Sequence, residues 1–328
     1  MTTVVIPDDF PPTYGDPEQA DLARLRPRAD VRLYTTRAAD RAELFRRIAP
    51  AEVLINVRAY TTLDEEAFAH APRLRLVSIL GTGTDNVDLL AATRRRIVVT
   101  NTPGVGAVSV AELALGLILA VARAIPLSDA RLRSGGWQHV EGPELFGKTL
   151  GLLGLGAIGS RLAELGRCLG MQVVAWSWRD DPERARRLGV RLVERDEVFR
   201  QADVVSLHLR STPETRGLVG ARELGLMKPS AILINTARAA LVDQDALVEA
   251  LRSGQIAGAG LDVYLEEPLP KENNPFVGLD GLNVVLTPHI GAVTAEASAR
   301  SRAMPVDNIL AFLDGRPRHV VNPDALSS

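Results

Sequence analysis

The chain has 328 residues, of which 46% are hydrophobic and 24% are charged, and its formal net charge is −2. This length and composition are typical of a globular protein with about two domains. The small net charge gives no reason to expect a nucleic acid or an acidic membrane surface as a partner, and the arginine run Arg184–Arg187 predicts a solvated helix face. The single cysteine, Cys168, excludes an intrachain disulfide and a cysteine-rich metal site, and we expect no metal centre.

Short apolar runs alternate with helical patterns over residues 1–103, which is typical of a parallel sheet covered by helices. The predicted strands are Thr2–Pro7, Val31–Thr35, Val53–Val57, Leu74–Leu80 and Ile97–Asn101. The N-terminus has neither the basic segment nor the long apolar segment of a signal peptide, so Thr2–Pro7 is interpreted as a first strand. We therefore expect a cytoplasmic protein.

A strong turn signal, Asn101-Thr-Pro-Gly104, precedes the longest apolar stretch of the chain, Val108–Pro126. This stretch contains Glu112 and Arg123 and is too short to span a bilayer comfortably. It predicts one helix that begins near Ser109 and is buried nearly all round.

The pattern G-x-G-x-x-G occurs between a predicted strand and a predicted helix. Its glycines are Gly154, Gly156 and Gly159, the strand ends at Leu153, and the helix covers Ala157–Leu169. The first glycine permits a tight turn, the second lets a pyrophosphate approach the backbone, and the third lets helix and strand pack closely. Amides at the start of the helix, at Ala157 and Ile158, would hold the phosphates. The pattern predicts dinucleotide binding, with a structural glycine turn as the alternative, and Cys168 is predicted to be a small packing residue.

The second half of the chain contains enough strands for a complete doubly wound sheet. They are Leu150–Leu153, Gln172–Trp176, Val190–Val193, Val204–Leu209, Ile232–Asn235, Ala259–Val263 and Val284–Thr287. A last helix is predicted over Thr294–Phe312. The sequence therefore predicts an α/β protein: a Rossmann-type doubly wound dinucleotide-binding domain, residues 104–289, inserted into a smaller flavodoxin-like α/β substrate domain, residues 1–103 plus 290–328.

Three late strands of this sheet are each followed by a charged or titratable side chain, at the edge where such folds bind ligands. These residues are Arg238, Glu267 and His289. A guanidinium suits bidentate capture of a carboxylate, a histidine can give or take a proton near neutral pH, and a glutamate beside the histidine would favour the imidazolium form. Taken one at a time, Arg238 could be a cation of a surface loop, Glu267 a solvated acid and His289 a turn residue. Their joint placement beside a nucleotide motif favours catalysis.

With these residues, the chain resembles the D-isomer-specific 2-hydroxyacid dehydrogenases. The matching stretches occur in order between residues 53 and 322 and are Gly81-Thr-Gly-Thr-Asp-Asn-Val-Asp88, Asn101-Thr-Pro-Gly104, Val110-Ala-Glu-Leu-Ala-Leu-Gly116, Gly154-Leu-Gly-Ala-Ile-Gly159, Asn235-Thr-Ala-Arg238, Gly260-Leu-Asp-Val263, Glu267-Pro268 and Thr287-Pro-His-Ile-Gly291. The resemblance implies the inserted-domain layout, a cleft between the domains, and NAD(P)-dependent reduction of a small 2-oxo acid such as glyoxylate or hydroxypyruvate. It also implies a homodimer paired through the apolar stretch Val108–Pro126.

The resemblance further implies a role for individual residues. His289 would be the acid/base, Glu267 would tune it, and Arg238 would orient the substrate carboxylate and polarise the 2-oxo group. The other expected contacts are the backbone amides around Thr82 and Gly83 for the carboxylate, Arg58 as a cleft-lining residue or a surface arginine, Asp262 for the nicotinamide carboxamide, and Ala237 and Gly291 for the cofactor.

Two positions depart from the family pattern: Ala239 stands where a glycine usually follows the arginine, and Arg210 stands where a proline usually follows a pattern like His208-Leu209. No regulatory C-terminal extension follows, so we do not expect a phosphoglycerate dehydrogenase of the long type. Two alternatives stay open. One is a nucleotide-sensing corepressor of the same fold, and the other is a family member that oxidises formate or phosphite.

The end of the second Rossmann strand bears on the choice of cofactor. Ser177 takes the position of the acid that binds the ribose 2′-hydroxyl in NAD-dependent folds. Arg179 stands where NADPH-dependent glyoxylate/hydroxypyruvate reductases of the family place an arginine, and Arg210 could add a second positive charge. Asp180 and Asp181 could instead neutralise Arg179. NADP(H) is therefore favoured, and NAD(H) stays possible.

Overall fold

The computed structural model describes residues 1–57, 61–179, 181–272, 274–279 and 281–326. The chain divides into two compact units. The inserted unit is Gly106–Val293, and the terminal unit is Met1–Val105 together with Thr294–Ser328. Each unit holds its own parallel sheet.

The terminal unit begins with five strands and four helices. They are β1 (Thr2–Ile6), α1 (Ala20–Ala23), β2 (Ala29–Leu33), α2 (Arg41–Ile48), β3 (Val53–Asn56), α3 (Glu65–Ala69), β4 (Leu76–Ile79), α4 (Leu89–Arg94) and β5 (Val98–Thr100). The strand order is β2-β1-β3-β4-β5. The strands are mostly valine, isoleucine and leucine because helices cover both faces of the sheet.

The inserted unit is built around a seven-stranded sheet in its described residues. Its elements are α5 (Ala107–Ala122), α6 (Ile125–Arg133), β6 (Thr149–Leu153), α7 (Ala157–Cys168), β7 (Gln172–Trp176), α8 (Pro182–Leu188), β8 (Arg191–Leu192), α9 (Arg195–Gln201), β9 (Val204–Leu207), α10 (Ala221–Leu226), β10 (Ile232–Asn235), α11 (Gln244–Arg252), β11 (Gly258–Leu261) and β12 (Val284–Leu286). The strand order is β12-β11-β10-β9-β6-β7-β8. The order reverses between β6 and β9, which is the ligand-binding position in doubly wound sheets.

A last helix, α12 (Ala295–Leu313), returns the chain to the terminal unit and packs against the face of its sheet that α1 also covers. Thr294 caps this helix, since its side chain accepts a hydrogen bond from the amide of Ala297. The predicted strands are all present, and their ends differ from the predicted ones by at most two residues. The predicted α/β fold with a Rossmann-type parallel sheet is confirmed.

The predicted helix near Ser109 is present, but residues 108–126 form two helices rather than one that is buried nearly all round. The helix α5 begins two residues before Ser109 and ends at Ala122, and Ala124 adopts a left-handed φ of 46° before α6. Pro126 explains the restart, because a proline is accepted in the first turn of a helix but not in its interior. The side chains of Val108 and Leu119 are exposed, so this chain covers only one face of α5.

Cys168 is also exposed, which corrects its prediction as a packing residue. It is the last residue of α7 and lies on the outer face of that helix, whereas Leu162, Ala163 and Gly166 form the buried face. No single helix in the described part of the chain is long and apolar enough to cross a membrane. The pair α5 and α6, bent by 58°, reaches the required length and composition only when taken together.

Asn322 joins the C-terminal segment to the edge strand β5. Its Oδ1 accepts a hydrogen bond of 2.7 Å from the amide of Val99, and its Nδ2 donates to the carbonyl of Ile97 at 2.9 Å. We predict that Asn322→Ala lowers the free energy of unfolding by about 2–4 kcal/mol, because both backbone groups become buried without a partner. Chemical denaturation measures this loss. Asp324→Ala, at an exposed position nearby, is the control. If both substitutions changed the free energy of unfolding by the same small amount, Asn322 would not have this stabilising role.

Candidate active site

The glycine-rich turn after β6 forms a cradle at the start of α7. Gly154 has a φ of +106°, and a Cβ there would lie 2.6 Å from the carbonyl oxygen of His208. A Cβ on Gly159 would lie 2.1 Å from the carbonyl oxygen of Gly154. A Cβ on Gly156 would meet nothing within 4 Å, and no side chain caps the helix that begins at Ala157. These residues fit a dinucleotide pyrophosphate, which needs an open glycine and amides at a helix N-terminus, here those of Ala157 and Ile158.

A half-buried histidine supports the same turn. His208 follows β9, and its Nε2 lies 2.9 Å from the hydroxyl of Ser206, whereas its Nδ1 has no hydrogen-bond partner among the described residues. Burial lowers the pKa of His208 to about 4, so the ring is neutral at physiological pH. Sequence reasoning assigned no role to this residue, because burial cannot be read from a lone histidine.

The end of β7 carries the predicted ribose-binding residues. Ser177 is partly buried, and Arg179 is exposed. Asp181 caps α8 and forms an ion pair with Arg184, with 3.2 Å between the Nε and Oδ2 atoms. The Nη1 of Arg184 also donates a hydrogen bond of 3.1 Å to the carbonyl of Leu155 in the glycine-rich turn. The side chain of Arg184 is 40% exposed, as expected for a solvated helix face, but it also contacts the glycine-rich turn. Asp180 lies outside the described residues.

The candidate catalytic residues meet at the end of the sheet formed by β10, β11 and β12. The Nδ1 of His289 lies 2.6 Å from the Oε2 of Glu267. The Oε1 of Glu267 accepts a hydrogen bond of 3.0 Å from the amide of Tyr264. The backbone carbonyl of Arg238 accepts a hydrogen bond of 2.9 Å from the Nδ2 of Asn235, the last residue of β10. The structure thus brings Glu267 and His289 into direct contact, as the sequence predicts.

The electrostatics of this group favour an ionised glutamate. Burial of the Glu267 carboxyl acts to raise its pKa. The hydrogen bonds from His289 and the Tyr264 amide act in the opposite direction, as does the positive charge of Arg238. The pKa of Glu267 consequently lies below its usual range. A carboxylate that stays ionised can hold a histidine ring in one orientation and stabilise its protonated form.

Asp262 holds the segment that carries His289. It is 1% exposed, and its Oδ1 accepts hydrogen bonds from the Thr287 hydroxyl at 2.6 Å and the Ile290 amide at 2.8 Å. Its Oδ2 accepts a hydrogen bond of 2.9 Å from the amide of Gly291. This bracing role could not be predicted from the sequence, because it depends on a contact across 29 residues. The predicted contact with the nicotinamide carboxamide stays a prediction.

The remaining predicted residues are distributed over both units. In the terminal unit, the loop of Thr82 and Gly83 is held by a hydrogen bond of 2.8 Å from the Nδ2 of Asn101 to the carbonyl of Thr82. In the inserted unit, Ala237 is buried and its amide donates to the Oδ1 of Asn235, while Arg210 is exposed. Arg58 lies outside the described residues. Within the described ranges, no cluster of three or more histidine, cysteine, aspartate or glutamate side chains could hold a metal ion.

Comparison with known proteins assigns this arrangement to a family. A model described as "D-isomer specific 2-hydroxyacid dehydrogenase, NAD binding domain" matches residues 115–291. The chain belongs to the D-isomer-specific 2-hydroxyacid dehydrogenase family. It is therefore an NAD(P)-dependent oxidoreductase.

Two relatives of this dehydrogenase differ in their named substrates. A glyoxylate reductase of Thermococcus litoralis is 41% identical over 302 residues, which cover 89% of this chain and 90% of that protein. A D-3-phosphoglycerate dehydrogenase of Archaeoglobus fulgidus is 41% identical over 285 residues, which cover 86% of this chain but only 53% of that protein. The dehydrogenase thus spans about half of that second relative.

A solved structure shows the same fold over nearly the whole dehydrogenase. It is the D-lactate dehydrogenase of Aquifex aeolicus in complex with NAD and lactic acid, with a TM-score of 0.86 at 28% identity. The match covers 98% of this chain and 99% of that one.

Proposed function

We propose that this dehydrogenase reduces a small 2-oxo acid, such as glyoxylate or hydroxypyruvate, to the corresponding D-2-hydroxy acid. The observation that carries the proposal is the 2.6 Å contact between His289 and Glu267, close to the charge of Arg238. A proton donor and a carboxylate-binding cation are what the reduction of a 2-oxo acid requires from the protein. When bound, the nicotinamide supplies the hydride that C2 of the substrate accepts.

In this proposal each residue has a defined role. Arg238 binds the substrate carboxylate and polarises the 2-oxo group. His289 is held by Glu267 through Nδ1, so its Nε2 remains available to give a proton to the developing alkoxide. The backbone amides of Thr82 and Gly83 are proposed as further groups that bind the carboxylate. Asp262 keeps His289 in place by holding the backbone on its C-terminal side.

The glyoxylate reductase relative favours a small substrate. The second candidate substrate is a phosphorylated 2-oxo acid, which is supported by the equal identity of the phosphoglycerate dehydrogenase relative. A panel of 2-oxo acids with NADH and NADPH separates the two candidates.

Two substitutions test the catalytic assignment. His289→Ala is expected to lower kcat by about two to four orders of magnitude, the usual range for the loss of an acid/base.

Glu267→Gln is expected to move the pH–rate profile for reduction to lower pH, because the protonated imidazole loses its carboxylate partner. The adjacent exposed acid supplies the control Glu266→Gln. An identical profile for Glu267→Gln and wild type would remove Glu267 from the mechanism.

For the cofactor, we infer a preference for NADP(H) over NAD(H). Ser177 carries no charge that would repel a 2′-phosphate, and Arg179 follows it on the same loop. Asp181 is paired with Arg184, and the guanidinium of Arg184 touches the glycine-rich turn itself. Arginine and phosphate form strong charge-assisted hydrogen bonds, so these two arginines support binding of the 2′-phosphate.

Binding of nucleotide fragments tests this preference without catalysis. By calorimetry, wild-type protein is expected to bind 2′,5′-ADP at least about tenfold more tightly than 5′-AMP, the value of one charge-assisted contact. Arg179→Ala and Arg184→Ala should each weaken the binding of 2′,5′-ADP much more than that of 5′-AMP. Arg187→Ala, on an exposed position of α8, is the control. Equal affinity of the wild type for both fragments would contradict the preference.

The uncovered face of α5 supports a proposed homodimer with a two-fold contact. Val108 and Leu119 on α5 are 46% and 37% exposed, and Ile125 at the start of α6 is 53% exposed. An apolar patch of this kind is expected to be covered by a partner.

Light scattering on the purified protein tests the dimer. We predict a mass twice that of the 35.3 kDa chain at micromolar concentration. Leu119→Glu should lower this mass, because a charge would be buried in the contact. Leu90→Glu, at a residue that is 75% exposed in the terminal unit, is the control. A wild-type mass of one chain would refute the proposal.

A further inference from the structure

Trp178 exposes a large aromatic surface just after β7. Its side chain is 58% exposed, although tryptophan is highly buried on average in folded proteins. It is the second residue after the end of β7 and stands between Ser177 and Arg179. Both neighbours belong to the segment expected to face the ribose of a dinucleotide. The exposed indole therefore lies at the edge of the dinucleotide site.

The end of β7 lies directly beside the glycine-rich turn. The strands β6 and β7 are paired and parallel, with Leu153 opposite Trp176. The amide of Gly154, the first glycine of the turn, donates a hydrogen bond of 2.8 Å to the carbonyl of Trp176. Trp178 follows two residues after this hydrogen bond. The backbone that carries the indole is thus attached to the turn that fits the pyrophosphate.

The covalent structure of a dinucleotide determines which of its groups comes closest to this segment. In doubly wound folds the pyrophosphate lies at the helix that follows the glycines, and the adenosine ribose lies at the end of the second strand, here β7. Adenine is attached to C1′ of that ribose, the carbon next to the C2′ that is recognised there. The base is therefore adjacent to the segment Ser177–Arg179, which contains Trp178.

A second tryptophan orients the exposed ring. Trp176 is partly buried and packs against the hydrophobic core of the inserted unit. The ring centroids of Trp176 and Trp178 are 5.8 Å apart and their planes meet at 82°, an edge-to-face geometry that is favourable for aromatic pairs. Whichever ring presents its edge, Trp176 covers at most one face of Trp178. The pair therefore leaves an indole face free for a ligand.

The chemistry of this face selects a flat aromatic group. An indole ring carries no charge and offers a phosphate little, whereas Arg179 and Arg184 supply the positive charge in this region. A nucleobase stacked on an aromatic side chain contributes about 1–3 kcal/mol to binding. Of the groups of a dinucleotide that reach the end of β7, the adenine base is the one that matches the indole.

We propose that the indole ring of Trp178 stacks on the adenine base of the bound dinucleotide. Adenine is common to NAD(H) and NADP(H), so this inference is independent of the proposed cofactor preference and of the proposed substrate. Trp178 raises the affinity for both cofactors alike. Ser177 and Arg179, on either side of it, act on the group at C2′ and distinguish the two cofactors.

Tryptophan fluorescence with ADP-ribose tests the stacking directly. ADP-ribose contains the adenine and the pyrophosphate but no nicotinamide, so it does not accept excitation energy as a reduced nicotinamide does. The chain contains three tryptophans, Trp137, Trp176 and Trp178. Saturating ADP-ribose should lower the emission of the wild type. Most of this decrease should be lost in Trp178→Phe and retained in Trp137→Phe, the matched control at a tryptophan that is 81% exposed.

Calorimetry measures the contribution of the ring to affinity. Trp178→Ala should weaken the binding of ADP-ribose about 5- to 150-fold, the value of one stacked base. Trp178→Phe keeps an aromatic face and should retain most of the affinity, and Trp137→Ala should bind like the wild type. In steady-state kinetics, Trp178→Ala should raise the KM for NADH and for NADPH by similar factors and leave kcat at saturation nearly unchanged.

Three outcomes overturn the inference. ADP-ribose that binds to the wild type without lowering its emission removes the stacking contact. Equal losses of affinity in Trp178→Phe and Trp178→Ala show that the aromatic face is not what binds. Unchanged affinity in Trp178→Ala, with a lower mass by light scattering, assigns the ring to a contact between two copies of the chain. A wild type that does not bind ADP-ribose contradicts the dinucleotide site itself, and the inference with it.

Discussion

The parallel register of β10, β11 and β12 is the constraint on which the candidate site depends. Asn235, Leu261 and Leu286 are paired across these three strands, so the strands end at the same level. The next few residues of each chain segment must then leave the sheet at one edge. Arg238, Glu267 and His289 all lie in these segments. A slip of one register position would turn the side chains of a strand to the opposite face and separate the group.

The register alone does not orient His289. Its φ of 53° lies in the left-handed region, which histidine tolerates better than bulky or branched residues but still at some cost. The buried carboxylate of Asp262 accepts three hydrogen bonds from this segment, and Glu267 holds the ring on its other side. Local strain of this size persists only where surrounding contacts determine the conformation. Two carboxylates provide these contacts here. Asp262 accepts hydrogen bonds from the backbone next to His289, and Glu267 contacts its ring.

Much of the fold could be predicted because its strands are short runs of branched apolar residues between turn signals. The glycine pattern was equally informative. The tight turn leaves no room for a Cβ at Gly154 or Gly159, so this local requirement is visible in the sequence as glycines. The burial of the helix predicted over residues 108–126 was overestimated, because the hydrophobicity of a helix face does not show whether the same chain covers that face. Cys168 illustrates the same difficulty, since a residue at the last turn of a helix can lie on either face.

The long-range contacts of the site could not be read from the sequence. Arg184 looked like one member of a charged run, yet it reaches the glycine-rich turn 29 residues earlier in the chain. Periodicity reports which side chains are apolar. It carries no information about which polar atoms meet across the sheet.

The proposed reaction delivers a hydride to C2 of a 2-oxo acid and a proton from His289 to the oxygen. The most direct measurement is the reduction of hydroxypyruvate with nicotinamide cofactor deuterated at C4, followed by chiral separation and mass spectrometry of the product. We expect D-glycerate with one deuterium at C2 when the transferred position is labelled, formed about two to four orders of magnitude more slowly by His289→Ala. The L isomer, or D-glycerate without deuterium at C2 from either stereospecifically labelled cofactor, would contradict it.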